Sequence, residues 1–217
     1  MKTVLAYGDS LTWGMDARNG TRHAHADQWP SVLEARLGGG ARVINAGLNG
    51  RTTMFDDYAV AADRNGARVL PTILATFDPI DLVIIMLGSN DMKTWVGGSA
   101  VAAAQGVRRL VEIIGAFPYV GAHPAPRVLI LAPPKLEQLG PSAAFPLLSP
   151  RSPESLVEIY AELARLTGAA FFDAATVASA VGGGDGVHLD AANTRAIGEA
   201  LVPIVAGLLE INTVKAA

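Results

Sequence analysis

Residues of the types that make up a serine nucleophile and its base occur at two distant places in the chain. Ser10 follows a short apolar run near the start, and Asp185 and His188 lie three positions apart near the end. A serine hydroxyl is a weak nucleophile that needs a base, and an imidazole oriented by a carboxylate can be that base. The sequence therefore predicts Ser10 as nucleophile, His188 as general base and Asp185 as the carboxylate that orients it.

Attack by such a serine on an acyl carbon places negative charge on the carbonyl oxygen, which hydrogen-bond donors must stabilise. Gly50 stands in a turn-rich loop after a short strand, and Asn90 follows the most apolar run of the chain. Gly50 has no Cβ, so its amide can approach a substrate closely. We therefore predict three donors, which are the backbone amides of Ser10 and Gly50 and the side-chain amide of Asn90.

The predicted substrate-binding residues adjoin these groups and are Leu11, Trp13, Asn49 and Val187. Leu11 and Trp13 come within three residues of the serine, and Val187 directly precedes the histidine. A tight wall there favours short acyl groups, because each methylene that does not fit forfeits about 0.8 kcal/mol of burial. Alternatively, these side chains belong to the core and the acyl chain leaves through the loops at 15–28 or 135–151.

The predicted groups can meet only if the strands before them end at one edge of a sheet. Apolar runs predict strands at 3–7, 42–46, 82–87, 127–132 and 169–173. Helical spacing with terminal prolines, glycines and capping residues predicts helices at 29–37, 67–77, 99–114, 152–167 and 191–209. Crossovers of this length are right-handed, so we expect an α/β three-layer sandwich around a five-stranded parallel sheet. The carboxyl ends of its strands share one edge, where ligands bind.

Composition narrows the class of protein. The 217 residues, half of them hydrophobic, suit one domain spanning 1–217. The net charge is −3 and the basic residues form no stripe, so we expect no nucleic-acid partner. The chain has no cysteine, no apolar run of membrane-spanning length and no recognisable leader, so we expect a cytoplasmic protein without a membrane partner.

Two loops have other candidate roles. His23, His25 and Asp27 lie in a polar segment, where we favour solvated side chains over a metal site and expect neither metal nor cofactor. Residues 135–151 form a long segment with several apolar side chains, Leu136, Leu139, Phe145, Leu147 and Leu148. Such a loop is a contact surface or a lid, and we expect it to make a homo-oligomer contact.

Each motif alone also has a structural interpretation. Ser10 could begin a helix, Asn90 could form a turn with its own backbone, and Asp185 with His188 could be a surface turn. A binding module that kept the fold without activity would have no physical need for all four together. A phosphate binder is disfavoured because no glycine-rich phosphate loop follows the first strand.

Four segments in order resemble the conserved blocks of the SGNH or GDSL hydrolase family: Gly8-Asp9-Ser10-Leu11, residues 45–53, Gly88-Ser89-Asn90-Asp91 and Asp185-Gly186-Val187-His188. The resemblance implies a flavodoxin-like sandwich, a Ser-His-Asp triad and oxyanion donors from Ser, Gly and Asn. Residues 8–14, 47–53 and 81–88 are similar, more narrowly, to the arylesterase and acyltransferase branch. That branch hydrolyses, transfers or perhydrolyses short acyl esters of small molecules and tends to form homo-oligomers. Removal of acetyl groups from carbohydrates is the close alternative.

Overall fold

The computed structural model describes residues 1–121, 123–136 and 155–211. Its strands are β1 (Lys2–Gly8), β2 (Met15–Asp16), β3 (Thr21–Arg22), β4 (Ala41–Gly47), β5 (Leu82–Met86), β6 (Arg127–Ala132) and β7 (Ala170–Asp173). Its α-helices are α1 (Ser10–Trp13), α2 (Trp29–Arg36), α3 (Gly66–Phe77), α4 (Ala100–Ala116), α5 (Leu156–Thr167) and α6 (Ala191–Leu209). Strands and helices alternate through most of the chain, as the sequence predicts.

Five strands form one parallel sheet in the order β4-β1-β5-β6-β7, which confirms the predicted α/β class. The chain places β4 on one side of β1 and then crosses to place β5 on the other side. The direction of winding therefore reverses between β1 and β5. In open parallel sheets, ligands bind outside the carboxyl ends of the strands at such a reversal.

The core forms two apolar layers because successive side chains of a strand point to opposite faces. On β1, Val4 and Ala6 join the cluster under α2 and α6, whereas Leu5 and Tyr7 join the cluster under α3, α4 and α5. All five residues of β5 are fully buried, as expected for a central strand covered on both faces. The predicted three-layer sandwich is thus confirmed.

Side-chain caps fix where two long helices begin. The Ser99 hydroxyl accepts a hydrogen bond from the Ala102 amide at 3.1 Å, and α4 starts at the next residue after this serine. Asp190 accepts from the Asn193 amide at 2.8 Å in the same way. Each bond satisfies an amide that has no partner within the helix. The cap at Asp190 starts α6 directly after the turn that carries the predicted base.

Three local expectations need correction. Residues 15–28, expected to be irregular, contain the β2–β3 hairpin and a short 3-10 helix at His25–Asp27. Helix α3 begins at Gly66, one residue before the predicted start, and runs unbroken through Pro71. Helix α5 begins at Leu156 with Ser155 as its cap, later than the predicted start.

The apolar loop predicted at 135–151 lies outside the described residues from 137 onward. Its contact with a second copy of the chain stays a prediction. None of the helices in the described part of the chain is both long and apolar enough to cross a bilayer.

Candidate active site

Ser10 is held at the carboxyl end of β1 by the residue before it. Asp9 directly follows β1 and accepts a hydrogen bond from the Leu11 amide at 3.0 Å, which caps the four-residue helix α1. Ser10 is the first residue of that helix and is largely buried. The turn needs glycine at position 8, because a Cβ there would lie 2.0 Å from the Thr12 hydroxyl. Asp9 thus forms the turn by hydrogen bonding.

Asp185 and His188 are fixed in one turn by three hydrogen bonds. Asp185 Oδ1 accepts from the backbone amides of Val187 at 3.0 Å and His188 at 2.8 Å. Its other oxygen, Oδ2, lies 2.6 Å from His188 Nδ1. Gly186, with φ of 77°, occupies the left-handed conformation that this tight turn requires. The carboxylate therefore orients both the backbone and the imidazole of His188.

The remaining nitrogen of the imidazole reaches the serine. His188 Nε2 lies 2.9 Å from Ser10 Oγ, although the two residues are 178 positions apart in the chain. Burial raises the pKa of Asp185, but the hydrogen bonds from His188 and Val187 outweigh it and hold this pKa below its usual value. The carboxylate stays ionised and can stabilise a protonated imidazole. This geometry is that of a serine nucleophile with an adjacent, oriented base.

The two other predicted oxyanion donors lie at neighbouring strand ends. Gly50, with φ of 81°, lies in the loop after β4, which is tied to β1 by the bond from the Leu48 amide to the Gly8 carbonyl at 3.1 Å. Asn90 follows β5, and its Nδ2 donates to Asp9 Oδ2 at 3.3 Å and to the Arg51 carbonyl at 3.2 Å. Both bonds are longer than the common 2.9–3.0 Å, so a charged oxygen could replace one of them.

Asp9 and Arg51 form a buried polar centre behind the serine. The Arg51 Nη1 donates to the Gly8 carbonyl at 2.8 Å and also to the Ala46 carbonyl, which ties the ends of β1 and β4 together. Burial raises the pKa of Asp9 to about 6, although the bonds from Leu11 and Asn90 and the charge of Arg51 act in the opposite direction. Sequence reasoning missed the role of Arg51, because a single arginine in a loop has no spacing pattern.

A second buried carboxyl group joins the two loops that carry the donors. Asp91 accepts hydrogen bonds from the Thr53 amide at 3.1 Å and from the Thr53 hydroxyl. Burial raises the pKa of Asp91 to about 7, and the Thr53 bonds only partly offset this effect. The sequence placed both residues in recognised blocks but gave no sign that they touch. Their contact fixes the loop after Gly50 relative to Asn90.

The predicted substrate-binding residues lie in different environments. Leu11 is 4% exposed and packs in the apolar cluster under α2 and α6, so its contact with substrate stays a prediction. Trp13 is half-buried at the end of α1, and the guanidinium of Arg22 lies 4.9 Å from its ring centroid. Val187 is 9% exposed and directly precedes His188, the predicted base. Asn49 is half-buried, and its Oδ1 has no hydrogen-bond partner in the described part of the chain.

The histidines of the first loop have separate partners. His23 Nε2 lies 2.9 Å from the Leu189 carbonyl, and His25 Nε2 lies 3.1 Å from the Ser31 hydroxyl. Across residues 1–121, 123–136 and 155–211, no three His, Asp or Glu side chains gather as a metal site would require. His23 thus braces the residue that follows the predicted base.

A sequence profile of the GDSL-like lipase/acylhydrolase family matches residues 6–196, which span every group described above. The chain belongs to this family. Family membership makes the protein an esterase that acts on carboxylic esters, and it confirms the predicted resemblance to the SGNH or GDSL hydrolase family.

Solved structures of other acylhydrolases share the whole fold. A carbohydrate acetylesterase family member from Sinorhizobium meliloti has a TM-score of 0.93 and 47% identity, covering 97% of this chain and 100% of that one. Inhibitor-bound aryl esterase from M. smegmatis has a TM-score of 0.87 and 39% identity, covering 96% and 100%. A second carbohydrate acetylesterase from Sinorhizobium meliloti has a TM-score of 0.87 and 37% identity, covering 96% and 100%. A search among curated proteins gave no match.

The raised pKa of Asp9 predicts a pH dependence of folding stability. The folded chain holds this proton up to about pH 6, whereas an unfolded aspartate releases it near 3.8. Stability from this group is therefore fully present below about pH 4 and is lost as the pH rises through 6. Over that window, the free energy of unfolding of the wild type should fall relative to that of Asp9→Asn, by at most about 3 kcal/mol.

Denaturant unfolding at several pH values measures this difference, and Asp56→Asn is the matched control. The Asp56 side chain is 30% exposed and its pKa is lowered, first by the hydrogen bond from Asn65, so the wild type should gain stability relative to that variant as the pH rises. If the free energies of unfolding of the wild type and Asp9→Asn changed with pH in parallel, the raised pKa of Asp9 would be contradicted.

Proposed function

We propose that this acylhydrolase is a serine esterase that cleaves short acyl esters through a covalent intermediate on Ser10. The observation that carries the proposal is the continuous hydrogen-bonded chain from Ser10 Oγ through His188 to Asp185 at the carboxyl edge of the sheet. Nucleophile, base and orienting group are already within hydrogen-bond distance of one another. Such a chain activates a hydroxyl that would otherwise react slowly.

In the acylation step, Ser10 Oγ bonds to the acyl carbon while its proton passes to His188 Nε2. The carbonyl π electrons move to oxygen, and the imidazolium that forms is stabilised by the ionised Asp185, 2.6 Å from Nδ1. Collapse of the tetrahedral intermediate breaks the bond to the leaving alcohol, which takes the proton from Nε2. Each group therefore performs one transfer for which its position in the site suits it.

The developing negative oxygen requires donors on the side opposite His188. The amides of Ser10 and Gly50 and the Nδ2 of Asn90 are suited to this role because they lie at the ends of β1, β4 and β5. An oxyanion would take one Asn90 hydrogen from its long bond to Asp9 or to the Arg51 carbonyl. Because the ester is neutral in its ground state, these donors act mainly on the transition state.

Deacylation repeats the sequence with water as the nucleophile. His188 takes a proton from water, the hydroxyl attacks the acyl carbon, and Ser10 Oγ leaves with the proton from Nε2. An alcohol in place of water gives acyl transfer by the same step. Acylation and deacylation involve the same proton transfers, so one base serves both halves of the reaction.

Trp13 and Val187 support a preference for short acyl groups. Trp13 is anchored from outside by Arg22, whose Nε donates to the Trp13 carbonyl at 2.6 Å. Val187 is buried in the turn that Asp185 fixes. Because these side chains are fixed by their neighbours, they cannot easily move aside for a longer acyl chain. Such a chain then loses burial or introduces strain.

Carbohydrate acetylesterase activity is the second candidate. It is favoured by two of the similar structures, at 47% and 37% identity, which are described as carbohydrate acetylesterases. Both candidates use the same triad and differ only in the alcohol that leaves. A panel of p-nitrophenyl acetate and acetylated sugars separates them by the ratio of their kcat/KM values.

The first prediction of this mechanism concerns the nucleophile. Ser10→Ala should abolish essentially all hydrolysis of p-nitrophenyl acetate, because it removes the hydroxyl that lies 2.9 Å from His188 Nε2. An organophosphonate should add its mass to Ser10 in the wild type, as read by peptide mass spectrometry, and the far-ultraviolet circular dichroism of the variant should be unchanged. Labelling of a different residue, with Ser10 unmodified, would refute the proposal.

The second prediction concerns acyl length. Trp13→Ala should raise the kcat/KM for octanoate relative to acetate esters, because removing the ring opens the wall beside Ser10. Trp95→Ala is the matched control, since this indole is 48% exposed and lies outside the proposed site. A wild type that already prefers octanoate, or a length profile that Trp13→Ala leaves unchanged, would rule out a short-acyl pocket.

A further inference from the structure

The guanidinium of Arg64 lies against the turn that carries the proposed oxyanion donor. A Cβ atom built on Gly50 would be 3.4 Å from Nη1, 3.6 Å from Cζ and 3.8 Å from Nε of Arg64. The guanidinium therefore borders the space that a side chain at position 50 would enter. It lies beside the residue whose amide faces the substrate in the proposed reaction.

Arg64 has no compensating partner in the described part of the chain. Its Nε and Nη1 are buried and donate no hydrogen bond to any residue described, and Arg64 makes no ion pair with those residues. Arg68, one helical turn further on, differs in this respect, because it is exposed and pairs with Asp56 and Asp63. A partly buried guanidinium without a counter-charge is unfavourable for folding, so its presence needs another explanation.

A second guanidinium increases the positive charge at the same place. Burial lowers the pKa of Arg51, and the charge of Arg64 lowers it further, while Tyr7 and Asp9 act in the opposite direction. Asp9 can balance one positive charge when it is ionised. Asp56, Asp57 and Asp63 line a surface pocket with Arg64, but they pair with Arg68 and Lys93. Arg51 and Arg64 therefore place positive charge beside the point where the tetrahedral intermediate would carry its negative oxygen.

We propose that Arg64 supplies positive charge to the oxyanion that forms at the Gly50 amide, an inference that rests on the proposed serine esterase mechanism. As Ser10 bonds to the acyl carbon, the carbonyl oxygen gains the electron pair of its double bond. The arginine attracts that charge through a region with little water, where such attraction is strong. The neutral ester gains little from it, so Arg64 lowers the barrier to reaction more than it strengthens substrate binding.

This role makes Arg64 unfavourable for stability and favourable for activity. Arg64→Met keeps the apolar stem of the side chain and removes the charge. It should lower kcat for p-nitrophenyl acetate by about tenfold to hundredfold with KM nearly unchanged. The melting temperature should stay the same or rise, because the repulsion between Arg64 and Arg51 is removed. Arg64→Lys, which restores a charge of the same sign, should recover part of the lost kcat.

Binding of a boronic acid gives a second readout, because boron forms a negatively charged tetrahedral adduct with a serine hydroxyl. The inhibition constant of the boronic acid should rise in Arg64→Met by about the same factor as kcat falls, whereas Arg68→Met should leave both unchanged. A binding or structural role for Arg64 would instead change KM or lower the melting temperature.

The outcomes distinguish this inference from the mechanism on which it depends. If the phosphonate labels Ser10 but Arg64→Met keeps its kcat and boronate affinity within about twofold of the wild type, the inference is wrong and the esterase mechanism stands. An equal loss in Arg68→Met, or no recovery in Arg64→Lys together with a lowered melting temperature, also overturns it. Failure of the phosphonate to label Ser10 would remove the mechanism itself.

Discussion

One buried carboxylate, that of Asp9, joins the strand ends on which the site depends. Oδ1 caps the helix that begins with Ser10, and Oδ2 receives the amide of Asn90 from the neighbouring strand. The side chain is 1% exposed, and its pKa of about 6 reflects how strongly burial opposes its charge. This burial is unfavourable, but it holds the proposed nucleophile, Ser10, and the proposed donor, Asn90, where the winding of the sheet reverses. We therefore interpret the Asp-Ser pair of the first block as one unit, in which Asp9 forms the turn that holds Ser10 in place.

The acidic groups of the site divide into two kinds by environment. Asp185 is held below its usual pKa by three donors, so it remains charged and can stabilise an imidazolium. Asp9 and Asp91 are buried, and burial raises the pKa of each. We interpret both as hydrogen-bond acceptors that hold loops in place. Residue type alone does not distinguish these roles. The roles are distinguished by burial and by the number of hydrogen-bond donors around each carboxyl group, and both depend on tertiary structure.

Much of this arrangement could be predicted from the sequence where a pattern repeats or a motif recurs. The strand β5 and the helix α6 were predicted closely because long apolar runs and capping residues mark them. Ser10 and His188 were predicted from residue type and spacing, and the structure brings them within 2.9 Å. The β2–β3 hairpin was missed because strands of two residues have no measurable periodicity.

Single residues with tertiary roles were beyond sequence reasoning. Arg51 and Arg64 stand alone in a loop, and only the fold shows that one ties two strand ends together and the other lies on the Gly50 turn. Leu11 adjoins the nucleophile in sequence, yet its side chain points into the core. Adjacency along the chain does not determine which way a side chain faces on a short helix.

The central claim is that Ser10, His188 and Asp185 act as one catalytic unit. A double-mutant cycle in kcat/KM for p-nitrophenyl acetate tests it most directly, with His188→Ala, Asp185→Asn and the double variant. Because Asp185 acts only through the imidazole, the account predicts that the double variant is little slower than His188→Ala alone. Losses that multiply, so that Asp185→Asn slows the enzyme by the same factor with or without His188, would contradict it.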